Sequence, residues 1–176
     1  RRQGRFDSAL QHIERALAIA QPEQRADLLN ELGTFHFNFA RFEQADRYYT
    51  DALAEAERTG RNLLAAQLLD SLGEMRRQQG RLEESLAHHT EALRRFVRYG
   101  SRSGEARALI SLGKLHRLRG NLSEAAERFA QARRIWVRAG DLDSAARLSG
   151  NLGKLMHLQG RLAEAERHFQ DAVDGA

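Results

Sequence analysis

The sequence predicts an all-α fold, a right-handed α-solenoid of about nine helices arranged as antiparallel pairs. Three observations predict it: a tetrad ending in Leu-Gly that returns every 40 residues, a small, large, small stripe with the same spacing between tetrads, and a composition with a single proline. Composition sets the frame. One proline stands among abundant Ala, Leu, Arg and Glu, residues that lose little freedom in a helix. Hydrophobic residues at 41% and charged residues at 30% match a folded, water-exposed protein. The absence of cysteine excludes disulfides and thiolate metal sites. No apolar run approaches the roughly 20 residues of a membrane span, and Arg1, Arg2, Gln3 and Gly4 lack the apolar stretch of a secretory signal. A cytoplasmic protein with no membrane partner is expected.

The tetrads are Asn30-Glu31-Leu32-Gly33, Asp70-Ser71-Leu72-Gly73, Ile110-Ser111-Leu112-Gly113 and Gly150-Asn151-Leu152-Gly153. Glycine inside a helix costs about 1 kcal/mol relative to alanine, so a glycine held in register implies a close-packed neighbour. The second series, Ala45-Tyr49-Ala52, Ser85-His89-Ala92, Ala125-Phe129-Ala132 and Ala165-Phe169-Ala172, has the i, i+4, i+7 spacing of one helical stripe. Its small residues admit a neighbouring backbone and its large residue fills the gap. Between the stripes, Gly80, Gly120 and Gly160 can take the left-handed conformation that ends a helix and reverses the chain. Each unit is therefore a helical hairpin.

These residues resemble the tetratricopeptide repeat, whose first helix, A, carries Leu-Gly and whose second, B, carries Ala, aromatic and Ala. The unit of 40 residues is similar to the long-helix variant of Pins-type polarity adaptors, kinesin light chains and bacterial regulators. The wording of residues 111–129, SLGKLHRLRGNLSEAAERF, is similar to repeats of actinobacterial regulatory proteins and signalling ATPases. One departure stands out: the slot after Leu-Gly, aromatic in the family, holds His36, Arg76, His116 and Met156. Helices are expected at about 5–20, 23–39, 42–58, 62–79, 82–98, 103–119, 122–139, 142–159 and 162–174. They divide the chain into a partial repeat at 1–22 and repeats at 23–61, 62–101, 102–140 and 141–176. The first helix is a B helix without its partner, because Arg1-Arg2-Gln3-Gly4 reads as the tail of an A helix. The sequence is accordingly expected to be part of a longer regulatory or signalling protein, able to self-associate through its exposed terminal repeats.

In such a solenoid the A helices line the concave face, so equivalent positions form rows along a groove. The rows are Asp27, Gln67, Arg107 and Arg147; Asn30, Asp70, Ile110 and Gly150; Thr34, Glu74, Lys114 and Lys154; Phe37, Arg77, Arg117 and His157; Asn38, Gln78, Leu118 and Leu158. The candidate partner-binding residues are Asn30, Thr34, Asp70, Glu74, Arg77, Arg107, Lys114, Arg117, Arg147, Lys154 and His157. Their charge changes sign along the array: acids dominate the first two full repeats and bases the last two. Residues 94–138 hold 12 Arg or Lys against three Glu. A basic groove favours a protein or peptide ligand bearing carboxylates, and the sequence is read as a non-catalytic interaction scaffold. The alternative is a nucleic-acid-binding repeat using residues 94–138, disfavoured because Phe96, Tyr99, Phe129 and Trp136 are needed in the core and cannot interleave with bases. Asn30 and Thr34 stand where the family's two-carboxylate clamp has Lys and Asn, so chaperone-tail binding is not expected.

No catalytic, cofactor or metal site is predicted. His88 and His89 are adjacent and diverge by about 100° on a helix, and His36 and His116 read as packing residues. Residues 100–104, Gly-Ser-Arg-Ser-Gly, have arginine where a nucleophile elbow has serine and are expected to form an inter-repeat loop. Gly113-Lys114 and Gly153-Lys154 lack the rest of a phosphate-binding loop. Trp136 is expected to pack between repeats.

Overall fold

The computed structural model describes residues 2–174, with side chains from residue 10 onward except residue 23. The described residues form nine α-helices: α1 (Arg2–Ile19), α2 (Pro22–Asn38), α3 (Phe42–Arg58), α4 (Asn62–Gln78), α5 (Leu82–Arg98), α6 (Arg102–Leu118), α7 (Leu122–Ala139), α8 (Leu142–Leu158) and α9 (Leu162–Asp174). Packing runs between consecutive helices, with α4 also resting on α6. The result is an all-α solenoid in which A helices (α2, α4, α6, α8) alternate with B helices (α3, α5, α7, α9).

The local signals act as the sequence implies. Gly80, Gly120 and Gly160 have φ of 76°, 80° and 74°. The Arg81 N–H donates to the Arg76 carbonyl at 2.9 Å, closing the reversal. The first A–B turn has Ala40 in this position, at φ 55°, a region that disfavours any side chain with a Cβ. Two expectations are corrected. Gly4 lies inside α1 and does not end a preceding helix. Residues 102–104 are the first turn of α6 and not a loop. The Ser101 hydroxyl accepts from the Gly104 N–H at 3.3 Å as an N-cap, and Gly104 is buried against the Phe96 ring.

The Leu-Gly register is explained by ring contact. A Cβ built on Gly33, Gly73, Gly113 or Gly153 would stand 2.5 Å from Tyr49, 2.8 Å from His89, 2.7 Å from Phe129 and 2.7 Å from Phe169. Each B-helix ring thus lies directly on the A-helix backbone. The flanking Ala45, Ala52, Ala92, Ala125 and Ala132 are fully buried. Tyr49 and Phe129 are buried in this way, each stabilising the fold by about 1.5–3 kcal/mol, whereas Phe169 stays 40% exposed. Trp136 packs on the cluster formed by α6, α7 and α8, between repeats.

The non-aromatic slot is filled in two ways. His36 is buried and stacks on Tyr48 with ring centroids 5.2 Å apart, and Met156 is buried. Arg76 instead reaches Asp46 on α3 at 2.6 Å and Glu84 on α5 at 3.3 Å, with its side chain 11% exposed. One guanidinium therefore ties three consecutive helices together.

Candidate functional site

The A helices present two hollows along the concave face. The first, about 440 Å³, lies between α2, α4 and α6 and is lined by Thr34, Phe37, Asn38, Tyr49, Asp70, Ser71, Glu74, Arg107, Ile110, Ser111 and Lys114. The second, about 450 Å³, lies between α6 and α8 and is lined by Lys114, Arg117, Phe129, Asn151, Lys154, His157, Leu158 and Phe169. Lys114 belongs to both. Among the sequence-predicted residues, Thr34, Asp70, Glu74, Arg107, Lys114, Arg117, Lys154 and His157 line these hollows. Asn30, Arg77 and Arg147 line neither: Asn30 is half-buried, Arg77 is spent on Glu74 at 2.5 Å, and Arg147 donates to the Ser144 hydroxyl at 2.7 Å.

The hollows differ electrically. In the first, two carboxylates face two cations and are already engaged. Asp70 accepts from Arg107 at 3.3 Å and lies 2.8 Å from Nδ1 of His89, a fully buried ring. Burial opposes ionisation of Glu74, but hydrogen bonds from Arg77 and Gln78, with the charges of Arg77 and Lys114, hold its carboxyl below the usual range. The Tyr49 hydroxyl donates to Thr34 Oγ1 at 3.2 Å. In the second hollow Lys114, Arg117 and Lys154 stand with His157 and without a carboxylate in the lining. None of these four has an ion-pair partner among the described residues. Three cations close together in a partly apolar recess raise the local potential for an anion. Phe129, Phe169 and Leu158 supply the apolar part.

Two features escape the row pattern. Ser71, Ser111 and Asn151, two residues before each glycine, also line the hollows. At about 100° per residue they fall about 20° beyond the Asn38, Gln78, Leu118 and Leu158 row, so helical geometry alone could have included them. The B-helix rings Tyr49, Phe129 and Phe169 reach the groove from behind. Glycine at the Leu-Gly position leaves the window through which they show.

A tetratricopeptide repeat model matches residues 24–96, 64–136 and 104–176 in overlapping windows, together most of the sequence. The chain belongs to the tetratricopeptide repeat family. Among solved structures the array is similar to BtubC (BKLC) from P. vanneervenii, at 20% identity and TM-score 0.87, over 99% of this chain and 74% of that one. It is also similar to the Rap conjugation gene regulator of plasmid pLS20 in complex with the Phr* peptide, at 20% identity and TM-score 0.77, over 96% of this chain and 46% of that one. A third is a signal transduction ATPase with numerous domains, carrying a tetratricopeptide repeat sensor, from Pyrococcus horikoshii, at 15% identity and TM-score 0.86, over 99% of this chain and 27% of that one. The array spans less than half of the latter two. At these identities the likeness establishes the fold. No curated protein matches the sequence significantly. Among the described residues no helix is long and apolar enough to cross a membrane.

Proposed function

We propose that this tetratricopeptide array is a non-catalytic docking scaffold whose concave groove holds a protein or peptide segment bearing carboxylates, within a larger regulatory or signalling protein of the cytoplasm. The observation that carries this reading is the second hollow: Lys114, Arg117 and Lys154 without ion-pair partners beside Phe129 and Phe169. A carboxylate entering it replaces water around three cations, of which only Lys114 also feels an internal carboxylate, Glu74. In the first hollow Asp70 and Glu74 compete for the same cations. Of the three structures compared, the Rap regulator was solved with a peptide bound, which supports a peptide as the class of ligand. Exposed Leu158, Leu162 and Val173 at the α8–α9 end support self-association as a second property. A sedimentation mass fixed at 19.9 kDa over a wide concentration range would dismiss it.

The groove is tested by selecting peptides from a random library on the immobilised protein, then measuring them against the variant Lys114→Glu, Arg117→Glu, Lys154→Glu. Enriched peptides should carry Asp or Glu beside a large apolar residue and lose roughly tenfold or more in affinity for the variant. Peptides without acidic residues, or with equal affinity for both proteins, would refute the assignment.

A further inference from the structure

Two pentapeptides one repeat apart share a pattern: Arg94-Arg95-Phe96-Val97-Arg98 in α5 and Arg134-Ile135-Trp136-Val137-Arg138 in α7. The equivalent stretch of α3, Ala54-Glu55-Ala56-Glu57-Arg58, lacks it. The third residue of each points into the fold: Phe96 is buried, and Trp136 packs between repeats. The first, fourth and fifth residues are exposed, with Val97 at 55% and Val137 at 45%.

Favourable interaction with the helix C-terminal dipole accounts for arginine at positions 98 and 138. It does not account for a valine left in water between two guanidinium groups, and still less for the same arrangement made twice. The cations are also little used within the chain. Arg94 is held by Glu91 at 2.6 Å, but Arg98, Arg134 and Arg138 have no carboxylate partner among the described residues. None of these six residues lines either hollow.

We propose that Arg94, Val97, Arg98, Arg134, Val137 and Arg138 form a second docking surface, for an amphipathic helix of another protein whose carboxylates flank an apolar stripe. Charge complementarity selects the sign, and guanidinium forks suit carboxylates. The two valines select a partner with apolar side chains over a phosphate polymer, which would gain from the arginines alone. A run of aromatics for stacking successive bases is lacking too: Phe96 is buried and Trp136 packs between repeats, and only the Tyr99 ring, with the Arg98 guanidinium 5.5 Å from its centroid, is exposed beside them. The proposal stands apart from the groove, and either can fail without the other.

The test measures fluorescence anisotropy of three probes: a synthetic helical peptide with a leucine stripe flanked by glutamates, the same peptide with serine in place of leucine, and a single-stranded oligonucleotide. The proteins are the wild type, an arginine variant (Arg98→Ser, Arg134→Ser, Arg138→Ser), a valine variant (Val97→Ser, Val137→Ser) and a groove variant (Lys114→Glu, Lys154→Glu). All substituted residues are exposed, and circular dichroism checks that each variant is folded. The Glu/Leu peptide should bind the wild type and the groove variant alike, and the arginine and valine variants each about tenfold more weakly. The Glu/Ser peptide should bind the wild type more weakly than the Glu/Leu peptide. Loss of binding in the groove variant alone, or no Glu/Leu binding to the wild type, overturns the proposal. Tighter binding of the oligonucleotide through the same arginines also overturns it, in favour of a phosphate surface.

Discussion

Alanine at Gly113 and alanine at Gly150 should move stability in opposite directions, although both glycines lie inside A helices. At Gly113 the added methyl would stand 2.7 Å from Cε1, 2.9 Å from Cδ1 and 3.1 Å from Cζ of Phe129. Ordinary carbon contacts begin at about 3.5 Å, so the ring must retreat by about 0.8 Å. It has little room: Phe129 is 2% exposed and is flanked by fully buried Ala125 and Ala132. Overpacking of this kind costs about 1–3 kcal/mol, against a helix-propensity gain of about 1 kcal/mol. The expected outcome is a net loss of about 1 kcal/mol. At Gly150 the nearest atom is the Ala172 Cβ at 3.9 Å, an ordinary contact, so the propensity gain of about 1 kcal/mol stands alone. The two variants should differ by about 2 kcal/mol, roughly a 30-fold change in the folding equilibrium. Urea unfolding followed by far-ultraviolet circular dichroism measures this directly. A Gly113→Ala protein that unfolds at the same or higher urea than wild type would refute the close-approach reasoning.

Three further outcomes are expected. Ala40→Gly should stabilise by about 1 kcal/mol in the same urea assay, since glycine takes the left-handed conformation of Ala40 without a Cβ penalty. The hydrogen bond from Arg94, aided by Arg95, outweighs burial and lowers the Glu91 carboxyl from 4.5 to about 2. A lowered carboxyl stabilises the fold above its unfolded value and loses that contribution as pH falls through the folded value, so the wild-type urea midpoint should drop more steeply than that of Glu91→Gln as pH falls from 4.5 to about 2. For the three-helix bridge, Arg76→Met should stay within about 1 kcal/mol of wild type, while Asp46→Ala with Glu84→Ala should lose about 1–2 kcal/mol by stranding a largely buried guanidinium; calorimetric melting separates the two.

The helices were legible because their signals are local. Leu-Gly, the small and large stripe and the reversing glycines each act within one hairpin, and the helix ends fall within three residues of expectation. The groove rows were legible for the same reason, since helical periodicity fixes which face a residue occupies. Periodicity does not say which neighbour one repeat away a side chain will meet. The pairing of Asp70 with both His89 and Arg107 depends on the stacking of α4, α5 and α6, and so was not visible. Arg76 is the sharper case: in sequence it is a missing aromatic, and only the approach of α3 and α5 makes it an ionic tie. Residues 102–104 misled because two glycines suggest a loop, whereas Gly104 is required by the Phe96 ring beneath it.

Helices that pack almost entirely on their sequence neighbours leave the array without a keystone. Force applied along its axis is met link by link, and a small change of angle at each hairpin adds up over its length. The width of the concave face is then a soft coordinate, adjustable by whatever sits between α4, α6 and α8. Lys114, shared by both hollows, sits on the middle of those three helices, where a bound anion would alter the bend of the whole coil.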